Sequence, residues 1–239
     1  MGKNSPLALK RKLLESADKR KAKSLSAYFK TGKGEYGQGD IFLGISVPDQ
    51  RKIATAHKGI PLESLGRFLE SKIHEFRFTA LEILGAKYES AARTRNGKEK
   101  AGIVKYYLRN LDSVNNWDLV DASAPQILGD FLLDKNKDIL FRLARSENFW
   151  HRRIAAVSTL AFIRRGKNKD ALAVIEILLK TKQHDLVNKA MGWMLREIGN
   201  RSISAELKFL RKHFKRLPRI TFRYACERLP KTAVAFAQK

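Results

Sequence analysis

The sequence predicts an all-α fold built as a solenoid of stacked helical hairpins. From Pro48 to the C-terminus, apolar residues recur at helical spacing, and strand-like alternation is hard to find. The second members of the helical pairs also align on one another, with starts separated by 42, 34, 34 and 34 residues. A steady period of this size is typical of stacked helical hairpins, so we expect one domain over residues 1–239.

The N-terminal region differs from the repeats that follow it. Residues 7–29 predict one basic helix, and residues 31–48 form a glycine-rich segment. Its five glycines do not match the Walker phosphate-binding pattern, and no strand precedes them. We therefore expect an ordered loop whose apolar residues Phe42, Leu43 and Ile45 dock onto the first helices.

Five helical pairs are predicted after this loop. They span 62–70 with 74–89, 97–110 with 116–129, 134–146 with 150–165, 168–181 with 184–198, and 202–213 with 218–229. Six residues past the starts of the second members stand Ala80, Ala122, Ala156, Ala190 and Tyr224. Four of these five residues are small, which favours close packing between helices. Two of the starts pair a histidine with an acid, His74 with Glu75 and His184 with Asp185, and we expect these pairs to cap their helices.

The charge balance predicts a polyanionic partner. Lys and Arg number 48 against 24 Asp and Glu, a net charge of +24. Such a surplus supports binding to phosphate backbones that weakens steeply with salt. Nucleic acid is the expected partner, and nonspecific contact or an anionic membrane is the alternative. No amphipathic terminal helix with aromatic anchors favours the membrane.

The composition also bounds the compartment and the cofactors. Cys226 is the only cysteine, which excludes an intramolecular disulfide and agrees with a reducing cytosol. Apolar runs are shorter than a membrane span, and the histidines lack metal-ligand spacing. We expect a monomeric, cytoplasmic, nucleoid-associated protein with no metal, no cofactor and no membrane contact.

The segment NNWDLVDASAPQILG contains the candidate active site. Trp117, Asp121 and Pro125 stand four residues apart and share one stripe of a helix. Pro125 cannot donate to the carbonyl of Asp121, so the helix should bend or open there. Asp118 lies three residues after Asn115 and suits a structural cap, whereas Asp121 has no such role.

The repeat alignment places more candidates on the stripe of Asp121. Trp193 shares it, and the cations on or beside it are Lys189, Arg196, Arg152, Arg153 and Arg223. Asp121 then either pairs with a neighbouring cation or stabilises positive charge that develops during a reaction. Hydrolysis of an N-glycosidic bond supplies such charge on the sugar, and flanking tryptophans suit cation–π contact. The alternative for Trp117 and Trp193 is a role as core anchors.

The strings NNWDLVDASAP, FWHRRIAAVSTLAFIR and HDLVNKAMGWMLREIG resemble the signature segments of the AlkD-type DNA alkylation-repair glycosylases. The resemblance covers nearly the whole chain, including GEYGQGDIFLGISVP and LPRITFRYACERLP. It implies a right-handed α-solenoid of HEAT-like repeats with a concave basic DNA-binding groove. It also implies a metal-free, monofunctional glycosylase that removes cationic N3- or N7-alkylated purines from double-stranded DNA in base excision repair.

The resemblance also implies roles for individual residues. The catalytic acid of the family matches Asp121, its flanking aromatic residues match Trp117 and Trp193, and its DNA-gripping arginines match Arg153 and Arg196. The glycine-rich 31–39 stretch is not shared by every member of the family. The alternative from a different class is a noncatalytic solenoid that binds distorted or branched DNA or a protein partner.

Overall fold

The computed structural model describes residues 4–237 and the side chains of residues 4–235. The chain divides into two compact units, Met1–Ser123 and Ala124–Lys239. Across the described residues both units are helical, and the strand-like pairing consists of one isolated parallel bridge between Ile41 and Ile73. The predicted all-α class is therefore confirmed, and the single domain over 1–239 stays a prediction.

The first unit carries six complete helices in its described part and the start of a seventh. They are α1 (Pro6–Glu15), α2 (Lys19–Tyr28), α3 (Val47–Ala56), α4 (Gly66–Leu69), α5 (His74–Arg93), α6 (Gly97–Arg109) and α7 (Trp117–Ala124). A 3-10 turn over Leu62–Leu65 leads into α4. The predicted pairs 62–70 with 74–89 and 97–110 with 116–129 thus begin within a few residues of their predicted starts.

The prediction of one helix over residues 7–29 was wrong, because α1 and α2 are separate. The carboxylate of Asp18 accepts the backbone N–H groups of Arg20 and Lys21 at 2.9 and 3.1 Å. It therefore caps the N-terminus of α2, where the first amides of a helix lack partners within the helix. The backbone N–H of Asp18 donates to the carbonyl of Leu43, so the break also lies against the glycine-rich loop.

The glycine-rich loop is ordered and docked, as predicted. Phe42 and Ile45 are buried, and Leu43 is half-buried. The buried carboxylate of Glu75 accepts the backbone N–H groups of Leu43, Gly44 and Ile45 at 2.9, 2.8 and 3.3 Å. Glu75 therefore binds the loop to the first turn of α5. The prediction that this acid caps its own helix was wrong.

Helix α5 is the central element of the first unit. It packs against α3, α4 and α6. Its buried side chains include Phe76, Leu81 and Leu84. Removing such side chains from water is the main source of stability in a helical unit.

The second unit begins at Ala124, the last residue of α7, and a π-helical turn follows over Pro125–Gly129. Its described helices are α8 (Asp138–Leu143), α9 (Phe149–Ser158), α10 (Leu160–Arg164), α11 (Asn168–Leu178), α12 (Asp185–Gly199), α13 (Ile203–His213) and α14 (Arg219–Ala225). The irregular backbone predicted beside Asp121 is present, since Pro125 opens the π-helical turn. The predicted helix over 150–165 is interrupted at Thr159, whose hydroxyl donates to the carbonyl of Ala156 at 2.6 Å.

Helix α12 is the packing centre of the second unit and contacts α9, α13 and α14. A Cβ atom at Gly192 would lie 2.5 Å from the carbonyl oxygen of Thr221, so only glycine allows this approach of α12 to α14. Of the small residues predicted at equivalent repeat positions, Ala80, Ala156 and Ala190 are fully buried. They serve the close helix packing that their spacing indicated.

Within each unit, several helices that are neighbours in sequence pack on one another, among them α4 with α5, α5 with α6, α11 with α12 and α12 with α13, as the repeats of an α-solenoid do. The predicted solenoid class agrees with this arrangement, while its right-handed twist and concave groove stay predictions. Among the described helices, none combines the length and the apolar character that a membrane crossing requires.

Candidate active site

The predicted site residues fall in both units. Trp117 and Asp121 lie on α7 in the first unit. The second unit carries Arg152 and Arg153 on α9, Lys189, Trp193 and Arg196 on α12, and Arg223 on α14. The two units thus hold different chemistry, an acid with a tryptophan in the first and a tryptophan with cations in the second.

Trp117 begins α7 and is held by aromatic neighbours. Its ring stacks on Phe29 with centroids 5.2 Å apart and an interplanar angle of 9°. Tyr28 approaches the same ring edge-on at 6.0 Å and is itself 65% exposed. We call Tyr28, Phe29, Phe42 and Trp117 the aromatic cluster, because Phe42 stacks on Phe29 in turn, at 4.9 Å.

Tyr36 of the glycine-rich loop also contacts Trp117. Burial raises the pKa of the Tyr36 hydroxyl, and a side-chain hydrogen bond with Trp117 opposes that rise. The indole N–H is a donor only, so it donates to the Tyr36 oxygen. The ring of Trp117 is therefore fixed both by stacking and by a hydrogen bond.

Asp121 lies one helical turn after Trp117 and is half-buried. It stands four residues before Pro125, at which the helix changes to the π-helical turn. Its carboxylate therefore combines partial solvent access with a position beside irregular backbone. Both features suit a functional carboxylate better than a capping one.

A buried polar network underlies the first turn of α7. Nε2 of His74 lies 2.8 Å from a carboxylate oxygen of Asp118, and Nδ1 lies 3.3 Å from a carboxylate oxygen of Asp40. The same Asp40 oxygen lies 2.7 Å from Nη2 of Arg77 and accepts from Asn116 at 3.3 Å. We call these five residues the His74 network.

The charges of the His74 network raise the pKa of His74 and lower the pKa of Asp40. Burial alone would lower the pKa of His74, but hydrogen bonds to Asp118 and Asp40 raise it above its ordinary value. Burial alone would raise the pKa of Asp40, yet hydrogen bonds and charge from His74 and Arg77 lower it. An imidazolium between two carboxylates is the state that both shifts favour.

Most of this network is not predicted by the sequence, from which His74 is expected to cap its helix and Asp118 to form a cap with Asn115. Asp118 does accept the N–H of Leu119 at 2.8 Å, but its other oxygen binds His74. The available signal was the repeat alignment, which puts His74 and Asn116 at equivalent positions of neighbouring repeats.

In the second unit, Trp193 and Arg196 each have an acidic partner. The indole N–H of Trp193 donates to Glu197, one turn further along α12, at 3.1 Å. Arg196 forms an ion pair with Glu227, which is 59% exposed. Trp193 and Arg196 are both half-buried, so each keeps part of its side chain accessible.

The other predicted cations differ in accessibility. Arg223 is exposed and Lys189 is half-buried. Arg152 is half-buried and donates to the carbonyls of Ser146 and Glu147. Their roles in DNA binding stay predictions.

Arg153 is the exception among these cations, because it is only 5% exposed. Its guanidinium donates to the carbonyl of Leu186, in the first turn of α12. This contact favours a role in joining α9 to α12. The predicted role of Arg153 in gripping DNA is untested and stays a prediction.

Among the described residues, no group of three or more His, Cys, Asp or Glu side chains is arranged to hold a metal ion. His184 accepts the N–H of Leu186 at 3.1 Å and caps α12, as predicted. Burial raises the pKa of the Cys226 thiol to about 11, which disfavours the reactive thiolate. On α7 the candidate groups are the carboxylate of Asp121 and the indole of Trp117.

Comparisons with known proteins agree with the resemblance seen in the sequence. The chain is similar to a solved structure described as a predicted DNA alkylation repair enzyme from Enterococcus faecalis, with 19% identity and a TM-score of 0.67. The match covers 90% of this chain and 98% of the other, and it shows a shared fold. A search of curated proteins found no match.

The family assignment comes from sequence. The profile of the DNA alkylation repair enzyme family matches residues 9–229, which is most of the chain. This match includes α7 with Trp117 and Asp121, and it supports a role in alkylation repair. The chain therefore belongs to the family of DNA alkylation repair enzymes.

Proposed function

We propose that the protein is a monofunctional DNA glycosylase that hydrolyses the N-glycosidic bond of cationic N3- or N7-alkylated purines in double-stranded DNA. The observation that carries this proposal is Asp121, a half-buried carboxylate one turn from a tryptophan that stacking and a hydrogen bond hold in place. Membership of the alkylation repair family supports it. We further propose that the protein acts as a monomer in the cytoplasm, on the nucleoid.

The proposed reaction needs little acid catalysis. An alkylated purine carries a positive charge, so cleavage of the bond between C1′ and the ring nitrogen releases a neutral base with the bonding electrons. The sugar becomes oxocarbenium-like, and a nearby carboxylate stabilises that charge. Water then adds to C1′ and loses a proton, for which Asp121 is the proposed acceptor.

The aromatic residues suit the same charge. The face of Trp117 or of another tryptophan attracts a cation through its ring quadrupole. We propose that Trp193 acts with Trp117 on the sugar and the lesion. Lys189, Arg152, Arg153, Arg196 and Arg223 are the proposed contacts to the DNA backbone, in keeping with the net charge of +24.

The test is release of free base from a duplex with one N7-methylguanine, at single turnover and with EDTA present. Asp121→Asn should lower the rate by about 100-fold or more, because it removes a charge that stabilises the transition state. Its DNA affinity should stay equal or rise, since one repulsive charge is lost. The exposed Asp112→Asn is the matched control and should keep the wild-type rate.

Three results would contradict the proposal. An unchanged rate in Asp121→Asn would remove this residue from the mechanism. Absence of release by the wild type, with tight and salt-sensitive DNA binding, would indicate the noncatalytic solenoid instead. Efficient release of uracil or hypoxanthine would contradict the requirement for a cationic base.

A further inference from the structure

His74 is the residue that joins the glycine-rich loop to the helix of the candidate site. It begins α5 and is 2% exposed. One ring nitrogen contacts Asp118, in the first turn of α7, and the other contacts Asp40, in the middle of the loop. Asn116, just before α7, donates to the same Asp40. The imidazole of His74 and the amide of Asn116 thus join the loop to α7, in addition to the hydrogen bond between Tyr36 and Trp117.

The contacts of the two ring nitrogens of His74 favour the protonated ring. Both ring nitrogens of His74 face carboxylate oxygens, and only the imidazolium has a proton for each of them. Nη2 of Arg77 also lies 3.4 Å from Nδ1 and opposes the ring proton, but it is closer, at 2.7 Å, to the Asp40 oxygen that the ring contacts. The charged groups that act on the ring are Asp118 from α7, Asp40 from the loop and Arg77 from α5. A neutral ring would leave two buried carboxylates with one guanidinium, whereas the imidazolium balances the charge of the group. Two phenylalanines of the aromatic cluster cover the ring.

The His74 network lies next to the groups proposed to act on DNA. Asp118 stands between Trp117 and Asp121 on α7. Phe29 packs on His74 with centroids 5.0 Å apart and stacks on Trp117 at 5.2 Å. Movement of the imidazole would therefore reach Trp117 by two routes, through the first turn of α7 and through the aromatic cluster.

We propose that His74 is a positioning residue which, as the imidazolium, clamps the glycine-rich loop to α7 through Asp40 and Asp118 and so holds Trp117 and Asp121 in their working geometry. This rests on the proposed function. Loss of the ring proton leaves one carboxylate facing a lone pair, so the clamp loosens and the excision rate falls. Because the pKa of His74 is raised, the fall comes on the alkaline side of its ordinary value of 6.5.

The first experiment uses the wild-type protein alone. Long-range proton–nitrogen NMR of the ¹⁵N-labelled protein follows protonation of the His74 ring from about pH 6 to about pH 9.5. Single-turnover excision from the N7-methylguanine duplex is measured over the same range. We expect both ring nitrogens to be protonated at neutral pH and the alkaline fall in rate to share the pKa of the ring. A neutral His74 ring at pH 7 would overturn the proposal.

The second experiment uses matched substitutions. His74→Gln keeps a donor for one carboxylate but cannot titrate, so its rate should be lowered by about tenfold at neutral pH. Its plot of excision rate against pH should also lack the alkaline fall that is assigned to His74. Titration of the lesion itself is common to both proteins and cancels in the ratio of their rates. His184→Gln changes the histidine at the equivalent repeat position and should keep the wild-type profile.

The outcomes separate this proposal from the proposed function. Absence of release by the wild type defeats the proposed function, and the NMR result still reports whether His74 is charged. Release by the wild type with the same rate and profile in His74→Gln defeats the positioning role alone. If His74→Gln does not fold, the wild-type protein alone tests the proposal. The pKa of the His74 ring from NMR and the pKa of the alkaline fall in excision rate should then be equal, and different values contradict the proposal.

Discussion

Helices α5 and α12 begin with the same pair of residue types in two different units. His74 and Glu75 open α5 in the first unit, and His184 and Asp185 stand at the start of α12 in the second. His74 and Glu75 are buried, whereas His184 and Asp185 are exposed. The same local pattern therefore meets two different environments.

The covering segment makes the difference. The glycine-rich loop lies over the start of α5, where Glu75 binds its backbone amides and His74 binds Asp40. At the start of α12, His184 caps its own helix and stacks on the ring of Phe149. The histidine and the acid of α5 thus bind the covering loop, whereas at α12 His184 caps its own helix and adds one aromatic contact with α9.

The pKa shifts of the two histidines also have opposite directions. Hydrogen bonds to carboxylates overcome burial and raise the pKa of His74. Partial burial, with the charges of Arg152 and Lys189, outweighs the opposing charge of Asp185 and lowers the pKa of His184. The surroundings of His74 therefore favour its charged form, and those of His184 favour its neutral form.

The largest expected contrast is in stability. Glu75→Ala leaves three backbone N–H groups of the loop without their acceptor and should cost about 4 kcal/mol of unfolding free energy. Asp185→Ala removes only an acid near a helix N-terminus and should cost about 0.5 kcal/mol. Urea unfolding followed by circular dichroism measures both. Similar costs for the two variants would show that the loop contributes little to the first unit.

A second contrast lies within the loop itself. Gly44 has a φ of 87°, and a Cβ atom there would lie 2.1 Å from the carbonyl oxygen of Asp18. Gly44→Ala should therefore cost about 2 to 3 kcal/mol through strain and displacement of the loop.

Gly34 is the matched control for this change, because its φ is 79° and a Cβ atom would meet nothing within 4 Å. Gly34→Ala should cost about 1 kcal/mol, from the backbone conformation alone. The difference between the two alanines, measured in the same urea titration, isolates the contact between the loop and the break at Asp18. Equal costs would assign the whole effect to backbone conformation.

The two units show how far local sequence signals reach. The helical period predicted α5, α6, α11, α12 and α13 within a few residues, because each of these helices has a continuous apolar face. The spacing of Trp117 and Asp121 also placed both residues on one helix, and Pro125 marked the change of backbone. These features depend on residues within one or two turns of each other.

The features that sequence analysis missed depend on distant residues. His74 binds Asp40 and Asp118 across 34 and 44 residues, and no periodicity reports such polar pairs. Asp18 divides the first predicted helix because it caps α2. The spacing of apolar residues over 7–29 does not reveal this cap. An arginine is expected at the surface, yet packing of α9 on α12 buries Arg153.

The smallest expected effect concerns the ion pair between Arg196 on α12 and the exposed Glu227. Glu227 pairs with Arg196, so its carboxylate competes with DNA phosphates for a proposed backbone contact. Glu227→Gln should raise affinity for duplex DNA by about two- to fivefold at low salt and steepen its salt dependence. The unfolding free energy should change by less than about 1 kcal/mol, because exposed ion pairs contribute little.

Glu176→Gln makes the same change in net charge at a different place, since Glu176 pairs with Lys212 and His213. Fluorescence anisotropy titrations of both variants separate the local effect from the global one. A larger gain for Glu227→Gln would show that freeing Arg196 matters, as the role proposed for α12 requires. Equal gains would mean that only the net charge of the protein affects its affinity for DNA. Arg196 would then no longer be a proposed contact of α12 with the DNA backbone.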